Sequence, residues 1–214
     1  MKLLMPNKVF KNCLAISMVL SFHSSFSQIS VRVFNYRPTG ELGFVMKPLI
    51  SAEIGYTQSF EESNSGRLRA SFSGTFLKMT PRQSIFPISG VLTSGNGTTV
   101  LPGEESFQKY NMVQLFGGID FAFMKKKKFY LYAGSDIIVG AASIEYRSSV
   151  KTVIDESYSG GGYLGGFRFR LGTEYCINDH IGIFFNANRS FYLVSEPAGI
   201  FSANDYGLGI RYEF

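Results

Sequence analysis

The last nine residues of the chain, YGLGIRYEF, alternate strictly between two kinds of side chain. In a β-strand successive side chains point to opposite faces, so one face of this segment is apolar and aromatic, while the other carries glycine and charge. A small soluble barrel packs its apolar groups inside, whereas a barrel surrounded by lipid carries them outside around a polar interior. The ending therefore favours a membrane-spanning strand with an outer face made of Tyr206, Leu208, Ile210, Tyr212 and Phe214.

The first 27 residues predict export. Three lysines precede an apolar run of ten residues, and two serines form a small-x-small pattern before a glutamine. This is the layout of a secretory signal peptide, and the run is too short for a spanning helix. An amphipathic helix is the alternative, but the run has no polar face. We therefore divide the chain into a cleaved signal peptide at 1–27 and one domain at 28–214. The residues concerned are Lys2, Lys8, Lys11, 13–22, Ser25, Ser27 and Gln28.

The composition of the predicted domain excludes several classes of protein. The first 27 residues hold three lysines and no acid, so without them the net charge falls from +5 to +2 and gives no reason to expect nucleic acid as a partner. Cys176 is the only cysteine left, which excludes an internal disulfide and a cysteine-built metal site. No apolar run after Gln28 approaches the roughly 20 residues of a spanning helix.

Alternation with period two recurs in eight segments, four of them longer than the roughly 9–11 residues of a tilted spanning strand. The clearest segment opposes Phe167 and Phe169 to Arg168 and Arg170. The predicted fold is all-β, an eight-stranded antiparallel up-and-down transmembrane β-barrel, and a soluble periplasmic β-sandwich is the structural alternative. The predicted strands are 29–37, 50–57, 67–76, 110–123, 129–146, 163–177, 180–191 and 206–214.

The predicted connections alternate between short and long, as they do in barrels with short periplasmic turns and long outer loops. This order places both ends of the domain on the periplasmic side. Functional contacts gather on loops that a rigid scaffold holds, so we expect 80–107 and 148–162 to form the working surface. The short connections are 61–66, 125–128 and 178–179, a loop of moderate length is predicted at 195–202, and the first hairpin turns at 38–40.

Charged residues on the predicted inner faces are the main candidates for a site. The interior of an eight-stranded barrel is about filled by side chains, and an unpaired buried ion is strongly unfavourable. We therefore interpret these residues as a structural network of ion pairs, with a path for solutes as the alternative. The network comprises Arg67, Arg69, Asp120, Asp136, Arg168, Arg170, Glu174 and Arg211, and Arg32, Glu53 and Glu213 share the inner faces.

The remaining motifs do not indicate catalysis or a cofactor. The one histidine of the domain, His180, follows the short turn at 178–179, away from the outer rim where a Ser/His/acid arrangement would meet lipid, so we predict no enzyme. Asp155, Glu156 and Asp205 are acids in or beside the outer loops, but their spacing is not that of a calcium loop, so we predict no metal and no cofactor. The lysines of 125–128 favour a solvated turn over a lipid-phosphate patch.

The terminal phenylalanine after alternate apolar and aromatic positions resembles the C-terminal signature of bacterial outer-membrane barrels. The whole domain resembles the small eight-stranded barrels of the OmpA and OmpX type. The glutamine after the cleavage site, with this glycine and aromatic usage, is similar to barrel-domain proteins of the Bacteroidetes, which include the PorT group.

This resemblance implies a protein of the Gram-negative outer membrane, in contact with its lipid and with the barrel-assembly machinery, for which residues 206–214 carry the assembly signature. It implies a structural or surface-interaction role through the outer loops. The alternatives are an accessory subunit of an envelope secretion or transport machine, and a narrow pore.

Overall fold

The computed structural model describes residues 27–63, 66–94, 97–126, 128–150, 154–195 and 199–214. The strands are β1 (Ser27–Thr39), β2 (Leu49–Ser63), β3 (Gly66–Met79), β4 (Phe86–Ser94), β5 (Gly97–Lys126), β6 (Phe129–Val150), β7 (Ile154–Cys176), β8 (Ile181–Val194) and β9 (Gly199–Glu213), and one helix, α1, covers Glu41–Val45. None of the described residues forms a helix of the length and apolarity needed to cross a membrane. The predicted signal peptide lies outside the described residues, apart from Ser27.

Eight of these strands close into an antiparallel ring, in the order β1-β2-β3-β5-β6-β7-β8-β9. The last strand pairs with the first, from Gln28 opposite Glu213 to Thr39 opposite Ser202. Closure pairs the backbone groups of every ring strand on both sides, which is the condition for strands to cross a lipid layer. The prediction of an eight-stranded up-and-down barrel is therefore confirmed.

The two faces of the ring strands have the chemistry that the alternation predicts. Leu208 and Ile210 on β9 are each 60% exposed, whereas Arg211, the inward residue directly after Ile210, is 5% exposed. On β7, Phe167 and Phe169 are exposed, and Arg168 between them is 1% exposed. A ring with an apolar outside and charged residues inside is inverted relative to a soluble sheet protein, so the β-sandwich alternative is excluded.

The connections divide the barrel into two ends. At the turn end, three short connections join β2 to β3, β5 to β6 and β7 to β8, and the Phe214 N–H donates to the Ser27 carbonyl (3.0 Å). At the loop end, α1 lies between β1 and β2, and the β3–β5 and β6–β7 connections extend beyond the ring. The predicted long connections at the loop end are confirmed between β1 and β2, β3 and β5, and β6 and β7, but the one predicted at 195–202 is wrong in part, because β9 begins at Gly199.

The prediction that 80–107 and 148–162 form outer loops is wrong, because most of their residues form strands. β5 has 30 residues, and β6 and β7 have 22 and 23, so all three continue past the ring. β4 pairs with the start of β5, and the end of β6 pairs with the start of β7. We call this four-stranded extension the blade; it comprises 86–94, 97–107, 145–150 and 154–162.

The composition of the blade explains why it reads as loop. Glycine, serine and charged residues are frequent in it, and the alternation that marks the ring depends on an apolar outer face. A strand outside the lipid has no need of that face, because its neighbours satisfy its backbone hydrogen bonds whatever side chains it carries. Gly160, Gly161 and Gly162, which the loop prediction covered, are part of β7.

The first connection also differs from its prediction. Pro38 and Thr39 still belong to β1, and Gly40, with φ +68°, turns the chain into α1 instead of a hairpin. Positive φ favours glycine, which has no Cβ to clash. β2 begins at Leu49, directly after Pro48, as expected for a residue that cannot donate a ladder hydrogen bond.

Burial of the apolar belt in lipid predicts a position-dependent cost for a charge. Leu208→Arg places a cation on the outer face of β9, and an arginine near the bilayer midplane costs about 2–4 kcal/mol. Val91→Arg on β4 is the matched control, because Val91 is similarly exposed (66%) but belongs to the blade. Urea unfolding in phospholipid vesicles, followed by circular dichroism, measures both. Equal losses of stability in the two variants would contradict the assignment of the belt.

Candidate functional site in the lumen and at the loop end

Ten charged side chains form one continuous series of ion pairs inside the ring. Arginines and acids alternate along it, five of each, so its formal charge is zero. An alternating series lets each buried ion face an opposite charge, which offsets its loss of water. The series runs in the order Arg211, Glu174, Arg69, Asp120, Arg170, Asp136, Arg168, Glu53, Arg32 and Asp205.

Arg168 is the central member of this ion-pair network. Its Nε donates to Asp136 Oδ2 (2.6 Å), and its Nη1 donates to Glu53 Oε2 (2.7 Å) on the opposite side of the lumen. Its Cζ lies 3.6 Å from the centroid of the Phe116 ring, a cation–π contact. A guanidinium has five donors in a planar fork, so this one side chain connects β7 to both β6 and β2.

Arg32 and Asp205 form the end of the network at the seam between the first and last strands. Arg32 Nη2 donates to Glu53 Oε2 (2.6 Å), and Arg32 Nη1 donates to Asp205 Oδ1 (2.5 Å). β8 is the ring strand that contributes no charged residue to the series, and it joins through amides. Asn186 Oδ1 accepts from Arg32 Nη1 (2.8 Å), and Asn188 Nδ2 donates to Asp205 Oδ1 (2.8 Å). Side chains from all eight ring strands therefore take part in one hydrogen-bonded assembly.

The prediction that Asp205 lies in or beside the outer loops, with Asp155 and Glu156, is wrong. Asp205 is buried in the lumen and paired with Arg32. The signal was present in the sequence, because Asp205 has the same parity as Arg211 on β9 and so shares its inner face.

At the other end of the network, Arg69 donates from Nε to Asp120 Oδ1 (2.5 Å) and from Nη1 to Glu174 Oε2 (2.8 Å). Glu174 also accepts a hydrogen bond from Arg211. Arg170 makes the longest ion pairs of the series, with Asp136 (3.0 Å) and Asp120 (3.3 Å). Of the eight residues predicted for the network, seven are in this series.

Arg67, the eighth predicted member, lies closer to the turn end. Its Nη1 is 3.5 Å from Glu213 Oε1, and Gln28 Nε2 donates to Glu213 Oε2 (2.6 Å). Arg67 therefore contributes to the polar interior through β9 and not through the main series.

Strand register explains part of this arrangement. Arg69 lies opposite Asp120, Asp136 opposite Arg168, and Arg32 opposite Glu53. Directly opposed residues on one face are within contact distance. Two glycines on β5 and β6 leave room for the acids, because a Cβ at Gly118 would lie 2.5 Å from Asp136 Oδ1 and one at Gly134 would lie 2.5 Å from Asp120 Cβ.

The interior changes from ionic to apolar toward the loop end. Inward side chains from several ring strands form an apolar core there, which the prediction of a polar interior did not include. A cavity within the ionic region measures only about 20 Å³. Side chains therefore fill the described lumen, as expected for eight strands. The largest fully buried side chains of the apolar core are Tyr36, Met46, Leu77, Met112, Ile138 and Tyr192.

An apolar crevice of about 240 Å³ lies above this core at the loop end. The α1 segment forms one wall, the ends of β5 and β6 form the second, and the β8–β9 region forms the third. Glu41 is the one acid among its lining residues. The apolar lining consists of Leu42, Val45, Met46, Phe107, Tyr110, Ile144, Val194, Ile200 and Phe201.

A row of aromatic rings crosses the blade from the crevice. Phe86, Phe107, Tyr146 and Tyr158 come one from each of its four strands, with ring centroids separated by 5.6, 5.8 and 5.2 Å in that order. Cross-strand aromatic pairs stabilise a sheet. A bulge between Phe107 and Lys109 shifts the register, so Phe107 lines the crevice and also belongs to the row.

Asp155, an acid of the loop end, is held by a cation. Arg147 donates from Nε to Asp155 Oδ1 (2.9 Å) and from Nη2 to Asp155 Oδ2 (2.7 Å). These hydrogen bonds and the positive charge of Arg147 hold the pKa of the Asp155 carboxyl below its ordinary value. Within the described ranges, no group of three metal-ligating side chains is brought together.

The remaining candidates lie at the turn end. His180 Nδ1 is 3.1 Å from the Glu213 carbonyl, and its ring is 6.0 Å from that of Tyr212. Lys128 Nζ donates to the Ile177 carbonyl (2.9 Å), and the lysine at 127 lies outside the described residues. The C-terminal signature residues all lie on the exposed outer face: Tyr206, Leu208, Ile210, Tyr212 and Phe214.

Comparison with known proteins supports the fold. No protein-family model matches the chain, and no curated protein sequence matches it. Among solved structures, Neisserial surface protein A is similar with a TM-score of 0.52 and 10% identity, over 88% of this chain and 97% of that one. Ail of Yersinia pestis is 16% identical over 89% of this chain and 99% of its own, with a TM-score of 0.49. At these identities the likeness concerns the fold alone, which is that of the small outer-membrane β-barrels.

A structural role for the ion-pair network predicts that its cations are costly to remove. Arg168→Met leaves the buried series with a net negative charge, and breaking a buried pair costs about 3–5 kcal/mol. Arg147→Met is the control, because its ion pair with Asp155 is exposed, and we expect little change there. The free energy of unfolding in urea measures both.

A charge-balanced variant separates lost charge from lost packing. Arg168→Met combined with Asp136→Leu removes one cation and one anion, so we expect part of the stability to return. A single Arg168→Met variant as stable as Arg147→Met would show that the network does not stabilise the barrel.

Proposed function

We propose that this chain is an integral protein of the Gram-negative outer membrane, with its turn end in the periplasm and its loop end outside. The observation that carries the proposal is the apolar outer face of the ring around a charge-balanced interior, because only lipid stabilises such a surface. The predicted signal peptide and the terminal phenylalanine support it, since export and barrel assembly are required for this location.

We propose further that the protein is not an enzyme and that its working surface is the loop end. The blade and the crevice support this role, because they combine an aromatic row with an apolar hollow on a rigid ring. Aromatic residues are enriched where proteins bind partners. The ion-pair network then has a structural task, which is to hold that ring in one shape.

An accessory role in an envelope secretion or transport machine is the second candidate. The blade has an open edge at β4, which is the last strand of the sheet, and residues 154–162 of β7 extend beyond the pairing with β8. Open strand edges accept a further strand from a partner. The filled lumen gives the narrow pore less support. Membership of the PorT group remains a prediction from the glycine and aromatic usage.

The membrane location is tested by gel mobility and fractionation. We expect the protein extracted from envelopes to migrate differently before and after boiling, and to resist carbonate extraction, because a lipid-embedded closed barrel stays folded in detergent until it is heated. Planar bilayers provide the test of the pore, and we expect no conductance steps from a lumen filled by side chains. Identical mobility with release by carbonate would refute the outer-membrane proposal.

Removal of the blade tip separates the scaffold from its surface. Replacing residues 87–102 with a short Gly-Ser turn removes most of β4 and its partner on β5 but leaves the ring pairs of β5 with β3 intact. We expect heat-dependent mobility to persist and partner capture in affinity isolation from native envelopes or intact cells to disappear. The control replaces exposed blade residues one at a time, beginning with Val91→Thr. Unchanged capture after deletion would move the working surface elsewhere.

A further inference from the structure

The outer wall of the barrel carries a polar patch where β8, β9 and β1 approach the loop end. Arg37 and Arg189 lie on either side of Asn204, each directly opposite it in the register of its own strand. One step closer to the loop end, Thr39 lies opposite Ser202. All five residues are on the outward face, and we call them the arginine patch.

Arg189 is held against the wall by neutral groups. Its Nη1 donates to Asn204 Oδ1 (2.8 Å), and its Nη2 donates to Ser202 Oγ (3.0 Å). Its Cζ lies 5.3 Å from the centroid of the Phe191 ring, and the hydroxyls of Thr39 and Ser202 are 2.7 Å apart. These contacts fix the guanidinium in position without neutralising it, and they use only two of its five donors.

The positive charge of the patch has no acid to balance it within the described part of the chain. The nearest acid in sequence, Asp205, points into the lumen and is paired there with Arg32. Two other cations of the loop end do have acids: Lys109 pairs with Glu145 (3.1 Å), and Arg147 pairs with Asp155. Two arginines without counter-charges on an outer wall indicate a site for an external anion.

The height of the patch matches the edge of the lipid belt. Along β9 the outward residues from Phe214 to Tyr206 are apolar or aromatic, and Asn204 is the first polar one after them. Ten residues of a strand that rises about 3.3 Å per residue and tilts by about 40° cover about 25 Å along the membrane normal. That distance equals the usual height of the apolar band, and on β8 the apolar outer face continues past Arg189 to Phe191 and Leu193, so the patch lies in the outer margin of the belt, close to the headgroups.

We propose that the arginine patch binds the phosphorylated headgroup of an outer-leaflet lipid, an inference that rests on the proposed outer-membrane location. Guanidinium groups bind phosphate through two parallel hydrogen bonds, with both geometry and charge matched. Arg37 and Arg189 are two strand spacings apart, about 10 Å between their Cα atoms, so the exposed side chain of Arg37 is within reach of a headgroup bound at Arg189. The apolar belt directly below the patch accommodates the acyl chains of the same lipid.

Native mass spectrometry of the full barrel in mild detergent tests the proposal, with bisphosphorylated lipid A as the titrated probe. We expect the wild-type barrel to retain one lipid, and Arg37→Gln/Arg189→Gln to bind it at least about tenfold more weakly, because two cations that attract and hydrogen-bond the phosphate are lost. Arg147→Gln is the matched control, an exposed arginine of the loop end that already has Asp155, and it should bind as wild type does.

Two further arms identify the source of the phosphate. Lipid A without its phosphates should bind as weakly to wild type as the intact lipid binds to the double variant, and inorganic phosphate at millimolar concentration should not displace the intact lipid. Equal retention by all three proteins, or displacement by inorganic phosphate, overturns the proposal. Heat-dependent mobility of each preparation separates this result from the proposed function, because a barrel that folds and inserts but shows no phosphate preference refutes the lipid site alone.

Discussion

The structure depends on the balance of positive and negative charges in a lumen whose surroundings have a low dielectric constant. Lipid surrounds the ring, and packed side chains fill it, so an ion inside has no water to solvate it except at the ends. Glu53 meets this constraint by accepting hydrogen bonds from Arg32 and Arg168 at once. The remaining members follow the same rule, each acid between two cations or a cation and an amide. Because the pairs cross the lumen, charge balance also fixes the shape of the ring.

The apolar core and the crevice follow from the same constraint at the loop end. There the chain leaves the lipid and several strands extend beyond the ring, so water would enter an open ionic lumen from that side. Met46, directly after α1, packs with Leu77 and Met112 of the wall and closes the interior. These side chains are apolar, so their removal from water is favourable. Above this closure the crevice and the aromatic row face the solvent. The barrel thus has an ionic layer, an apolar layer and an exposed working surface in sequence along its axis.

Period-two alternation was sufficient to predict the ring, because each strand must alternate wherever lipid lies on one side and a polar lumen on the other. It was sufficient for Arg168, whose partner Asp136 is directly opposite in an adjacent strand. It could not predict that Arg168 also binds Glu53, since that contact crosses the lumen between strands that are not neighbours. The blade was missed because its strands leave the lipid and lose the alternation, and the bulge after Phe107 is visible only in the pairing with β6.

The ion pair between Arg32 and Asp205 joins the first strand of the ring to the last. These two strands are the most distant in sequence, so their contact carries the greatest loss of chain entropy, and closure is favoured once the six strands between them are paired. Before closure Arg32 keeps its partner Glu53 on β2, whereas Asp205 has only the amide of Asn188 on β8. An open intermediate would therefore differ from the finished barrel by one anion at the seam that lacks its cation.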